Sequence, residues 1–205
     1  MVTQTTAHRA AVAAPTSFER LAGLCSITTG IAGFMYAVAF LLLRNNLLSA
    51  LFLLLAGLLS TAALVALYSR LRETDAAFAL WALLLSVAGA LGSVVHAGYD
   101  LATALHPVAS AALPSPIDPR GLLTFGVAGL GLGALAWLIG RSRHVPQGLG
   151  SLGYVLAILL IVLYVGRLIV VDAKSPLIVA PAALSGFLVN PAWYIWLGLV
   201  LWRRA

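Results

Sequence analysis

The sequence predicts an all-α fold: a polytopic integral membrane protein, a bundle of six transmembrane helices with both termini cytoplasmic. Three observations predict it. The 205 residues are 62% hydrophobic and only 9% charged, with a mean hydropathy of +1.04, against about 45–50% apolar and about 25% charged in ordinary globular domains. The charges divide the chain into six long uncharged runs, and the arginines concentrate on alternate connections between them. So little charge cannot cover the surface of a soluble domain, which excludes a soluble enzyme, a disordered chain and a free nucleic-acid-binding domain. The net charge of +6 is spread singly or in pairs with no basic stripe, so no nucleic-acid partner is expected. The single cysteine, Cys25, excludes a disulfide framework and multi-cysteine metal motifs.

Residues 1–17, Ala/Thr-rich with a lone His8–Arg9, read as a flexible cytoplasmic tail, and 18–205 as one six-helix transmembrane domain. The uncharged runs are Leu21–Leu43, Leu47–Ser69, Ala76–Tyr99, Gly121–Gly140, Val145–Gly166 and Ser175–Trp202. Each reaches the roughly 20 residues that a helix needs to cross a bilayer. None alternates as a barrel strand would. The first run is too long for a signal-peptide core and is expected to remain as helix 1. Arg9, Arg20, Arg70, Arg72, Arg141, Arg143, Arg203 and Arg204 fall on one side, against Arg44, Arg120 and Lys174 on the other. That excess of basic residues orients both termini toward the cytoplasm, with the lipid bilayer as first partner; the membrane expected is a plasma (inner) membrane.

Helices 1–3 and 4–6 show weak self-similarity over 21–99 and 121–202. Gly30-Ile-Ala-Gly33 parallels Gly126-Val-Ala-Gly129, and Leu67, Tyr68, Arg70 and Asp75 parallel Leu163, Tyr164, Arg167 and Asp172, at an offset of 96 or 97 residues. Three helices per half would give an inverted repeat, as in many secondary transporters. Helix 3 and helix 6 give no comparable alignment.

Strongly polar residues inside the runs are scarce, and no Asp, Glu or Lys is expected near the bilayer centre, which argues against ion-coupled transport. The candidate ligand-binding residues gather toward the outer face: His96, Tyr99, Asp100, Arg120, Tyr164 and Arg167. His96 and Asp100 are four apart and share a face if helix 3 continues that far. The carboxylate would then orient the imidazole as a base or ligand is oriented, with His106 nearby. No His-x-x-x-His or His-Glu-x-x-His spacing occurs, so no metal and no cofactor are predicted. The loop Leu105–Arg120 carries four prolines. Within it Asp118 is placed to cap helix 4 with Pro119 at the first helical position, and Arg120 is in reach of Asp118 or Asp100. Arg167 lies ~33 Å along helix 5 at 1.5 Å per residue, where it either snorkels to the outer interface or closes an outward-facing pocket. Tyr164 and Arg167 share a face but reach the helix 3 group only if helices 3 and 5 are neighbours.

Gly129-xxx-Gly133 in the glycine-rich helix 4 permits close helix approach, within the bundle or toward a homo-oligomer or membrane-subunit partner. Helix 6 is expected to be interrupted at Pro181 and at Asn190-Pro191, a candidate hinge. Asn190 lies ~20 Å from the outer end, too deep to join the His96 group. Trp193, Tyr194, Trp196 and Trp202 before Arg203-Arg204 read as an inner interfacial belt.

Three stretches, His96-Ala-Gly-Tyr-Asp100, Pro116-Ile-Asp-Pro-Arg-Gly121 and Asn190-Pro-Ala-Trp-Tyr-Ile-Trp-Leu-Gly198, resemble uncharacterised bacterial six-helix multipass membrane proteins of about this length. That resemblance implies a fold and brings no activity. The residues lead to a non-enzymatic protein that binds a small or lipid-like ligand, or a partner membrane subunit, at an outward-facing polar site. A transporter of a small neutral or apolar solute is the first alternative. A membrane enzyme using the His96/Asp100 pair is the second.

Overall fold

A computed structural model describes residues 16–106, 120–170 and 175–203. Every regular element in them is helical. Six helices are long and apolar enough to cross a membrane: α1 (Ser17–Leu42), α2 (Asn46–Leu71), α3 (Ala76–Leu105), α4 (Leu122–Arg141), α5 (Gln147–Ile169) and α6 (Pro176–Trp202). Asp118, Pro119 and most of the N-terminal tail fall outside the described residues.

The first three helices each start at a residue whose side chain satisfies an orphan backbone N–H group. Thr16 and Glu19 form a reciprocal capping box at α1, with Glu19 N–H donating to Thr16 Oγ1 at 3.1 Å and Thr16 N–H to Glu19 Oε2 at 2.9 Å. Asn45 caps α2 through Leu48 N–H, and Asp75 caps α3 through Phe78 N–H, each at 3.0 Å. Pro176 opens α6 at a position where its missing N–H costs nothing. Helix α3 continues six residues past the expected Tyr99, which carries His96 and Asp100 within one regular helix.

Consecutive helices pack side by side, and α6 returns to α1, so the six close into a ring. At one end the ring is filled. Leu67 and Leu71 of α2, Leu135, Leu138 and Ile139 of α4, Leu149 of α5, and Trp193, Leu197 and Leu201 of α6 are fully buried there. The start of α1 and the ends of α2 and α6 meet at this end. Arg70 donates from Nε to Glu19 Oε1 at 3.0 Å and from Nη1 to the Val200 carbonyl at 3.1 Å. The two ends of the described chain therefore share one face of the bundle. Outward-facing positions are apolar around the circumference, with Leu42, Leu84, Val95, Ile158 and Leu188 more than half exposed, far beyond what a soluble monomer leaves in water.

The sequence expectation for α6 needs correction. Its helix is continuous from Pro176 to Trp202; in place of an interruption it widens into a π-helical turn over Ser185–Val189, directly before Asn190-Pro191. Pro191 has no N–H, and the wide turn absorbs that loss without breaking the helix. Trp193 and Tyr194 are not interfacial either. Trp193 is fully buried and donates from Nε1 to the Leu149 carbonyl at 3.1 Å, and Tyr194 faces the interior. Trp196 and Trp202 remain on the surface.

Candidate functional site

Away from the filled end, the ring encloses a cavity of about 460 Å³ with walls from all six helices. Its extent follows the helices closely. On α1 it is lined only from Thr29 onward, on α2 only as far as Leu64, and on α4 only as far as Leu132. Along α3 it runs from Ser86 to Asp100, ~21 Å at 1.5 Å per residue. It is a cup with its floor on the buried leucines and Trp193.

The charged groups stand at the end opposite the termini. Arg120 donates from Nη1 to Asp100 Oδ1 at 2.9 Å, and the other carboxylate oxygen lies 3.5 Å from His96 Nε2. The same guanidinium reaches the His96 carbonyl at 3.4 Å and stacks over the Tyr99 ring, 4.3 Å from its centroid. Thr124 Oγ1 donates to the Arg120 carbonyl at 3.1 Å and lies 3.4 Å from His96 Nδ1. The imidazole is thereby held at both ring nitrogens, and His96 is buried while Asp100 keeps a two-fifths exposed side chain. Arg167 of α5 lines the same space. Among the described residues its guanidinium makes no hydrogen bond or ion pair; its contact is the Phe125 ring, 5.9 Å away.

The structure thus brings together His96, Asp100, Arg120 and Arg167. Tyr99 supports Arg120 from outside the lining, and Tyr164 packs against Gly126 of α4 instead of facing the cavity. Helices α3 and α5 are not neighbours, since α4 stands between them; Arg167 faces the α3 group across the cavity. Asn190 proves to share this space despite its depth. It lines the cavity wall from the wide turn of α6, and its amide makes no hydrogen bond to a described residue. Asn190 N–H is bonded to the Ser185 carbonyl, which leaves the Gly186 carbonyl on the wall without its usual helix donor. His106 is exposed at the last turn of α3 and takes no part.

Sequence reasoning missed Thr124 and a set of small hydroxyls along the walls, Thr29, Ser60, Ser86, Ser93 and Ser185. A signal was present. Ser86, Ser93 and Asp100 recur every seven residues and mark one face of α3, as Thr29 and Tyr36 do on α1. Thr29, Ser60, Ser86 and Ser93 hydrogen-bond carbonyls of their own helices at 2.8–3.2 Å, so they soften the wall without adding charge. All three π-helical turns, Val38–Leu42, Leu122–Val127 and Ser185–Val189, contribute lining residues: Phe40 and Leu41, Thr124 and Phe125, Ser185 and Gly186. Such turns rotate side chains out of the α-helical register and gather at functional sites.

Three glycines of α4 pack closely inside this chain. Gly126 and Gly129 face Tyr164 and Ile161 of α5, and Gly131 lies against the Ser86 backbone of α3. In the repeat motif, Gly30 faces Pro191 and Ile195 of α6, whereas its counterpart Gly126 faces α5, the fourth helix's own successor. The matched glycines have non-equivalent neighbours. Comparison with known protein families, curated proteins and solved structures finds no match to this chain.

Proposed function

We propose that this is a multipass protein of a bacterial plasma membrane, with cytoplasmic termini, that binds a small or lipid-like ligand in a cavity open to the outer face. The observation that carries the reading is the cup itself: about 460 Å³, walled by six helices, closed at the termini end and polar at the other. That volume lies in the range of small-molecule sites, about 300–1,000 Å³. Insertion is supported by six apolar spans whose outward faces have no other means of leaving water. Orientation is supported by the arginine excess on the termini side. Binding is favoured over catalysis because Asp100, His96, Thr124 and Arg120 are tied to one another, which suits a fixed rim more than a proton shuttle.

The wide turn before Pro191 favours a second reading, transport of a small neutral or apolar solute, with α6 pivoting at Asn190-Pro191. Both readings need an occupied cavity. Ala90, buried on α3 and lining the cavity, supplies the test: Ala90→Trp should obstruct its lower half. Small molecules extracted from purified wild-type protein and from the variant are quantified by mass spectrometry. The reading expects one compound near one equivalent per chain in wild type and its loss in a folded Ala90→Trp protein. Equal content in both would overturn it.

A further inference from the structure

We propose that the cavity takes a single-chain amphiphile with an anionic head, a carboxylate or a phosphate, and that Arg167 is the residue that binds the head. The inference rests on the ligand-binding reading above and names the chemistry of its ligand.

The charge arrangement around the cavity points to an anion. Among the described residues the charged side chains lining it are Asp100, Arg120 and Arg167, with His96 beside them. Asp100 is already engaged, with one oxygen on Arg120 and the other facing His96. Arg120 is fixed by that carboxylate, by the His96 carbonyl and by the Tyr99 ring. Arg167 on the facing wall has an aromatic ring and no acid among the described residues. Among the described residues the lining therefore carries one more cation than anion, and the surplus sits on the Arg167 guanidinium, which makes no hydrogen bond to a described residue. Arg167 is partly withdrawn from water at the mouth of the cup, where a counter-charge would compensate the hydration it loses, and a guanidinium fork matches a carboxylate or phosphate through paired hydrogen bonds.

The walls point to a chain. Below Arg167 the cavity is bounded by Leu53, Leu64, Leu132, Leu156 and Leu160, with Phe40 and Leu41 near its own level. A small hydrophilic anion would satisfy Arg167 and leave these side chains against trapped water. A neutral hydrocarbon would fill the lower cavity and leave Arg167 without a partner. An anionic head joined to one apolar chain satisfies both, and the ~21 Å run along α3 gives it room. At the deep end Asn190 and the Gly186 carbonyl would accept a polar group on the chain but do not require one.

The test uses the full-length protein at pH 8 in neutral detergent, titrated with four probes that share one chain: oleate, oleoyl lysophosphatidate, monoolein and oleyl alcohol. One-to-one complexes are counted by native mass spectrometry. At least one anionic probe should bind ten-fold or more tighter than both neutral ones, and the tighter anion identifies the head as carboxylate or phosphate. Arg167→Gln should abolish the preference while keeping neutral binding, Arg167→Lys should retain part of it, and Arg72→Gln, exposed at the termini end, should leave it intact. Equal binding of charged and neutral probes to wild type, or an unchanged preference in Arg167→Gln, overturns the inference and leaves the cavity reading standing. Failure of all four to bind wild type better than Ala90→Trp overturns the cavity reading itself. If Arg167→Gln does not fold, the wild-type preference decides the point alone.

Discussion

Asp100 holds the rim together through two bonds of unequal worth. Its 2.9 Å contact with Arg120 is charge-assisted, whereas the 3.5 Å approach to His96 is long. Because the carboxylate is 39% exposed, Asp100→Asn should cost only about 1 kcal/mol after solvent screening. A double-mutant cycle with Arg120→Gln, read by thermal unfolding in detergent, should show coupling of that size; none would mean that the pair does not organise the rim. Trp193 belongs to the opposite end and to stability alone. Trp193→Phe removes the donor to the buried Leu149 carbonyl and should cost about 1–2 kcal/mol, lowering Tm while leaving the content of bound compound unchanged. At this scale the sequence was legible wherever residues sit a helical turn apart, as His96 and Asp100 do. It was silent where partners come from different helices. Nothing in the spacing of Arg167 says that it faces Asp100 across a cavity, and nothing in a Trp-rich helix end separates the buried Trp193 from the exposed Trp196.

Helix α6 illustrates what changes at the level of an element. A proline inside a helix removes one bond and usually bends or breaks it; here the Ser185–Val189 turn widens instead and moves Ser185 and Gly186 onto the cavity wall. Restoring the N–H with Pro191→Ala should let the turn tighten to α-helix. The expected outcome is a raised Tm together with loss of the bound compound; a raised Tm with full retention would mean that the wide turn does not shape the cavity. Close approach governs α3 and α4. A Cβ at Gly131 would lie 2.6 Å from the Ser86 nitrogen and hydroxyl oxygen, so Gly131→Val must spread the two helices. It should cost about 1–3 kcal/mol and lower the yield of monodisperse protein. The existence of all six helices followed from hydropathy, because apolar length is written locally. The π-helical turns did not, because they depend on which neighbour the helix must reach.

The whole molecule is a ring of six helices whose two ends differ. Long-range packing fills the end that carries Arg70, Glu19 and Leu201, and leaves the other open around Arg167. Composition and arginine placement predict six spans and a side for each loop, yet they carry no information on ring closure, since the contact of α1 with α6 joins residues about 170 positions apart. The sidedness makes a direct prediction: in a Cys25→Ser background, a membrane-impermeant thiol reagent should label His106→Cys from outside intact cells and Arg203→Cys only from the cytoplasmic side. On the proposed function the cup opens outward, is sealed inward and holds a ligand. Ser93 lines it on α3, about two helical turns below Asp100, so Ser93→Cys in the same background measures all three properties at once. A small charged methanethiosulfonate should modify it from the outside, not from the cytoplasmic side of inverted vesicles, and more slowly when oleate is present. Modification from the cytoplasmic side, or an outside rate indifferent to oleate, would contradict the account.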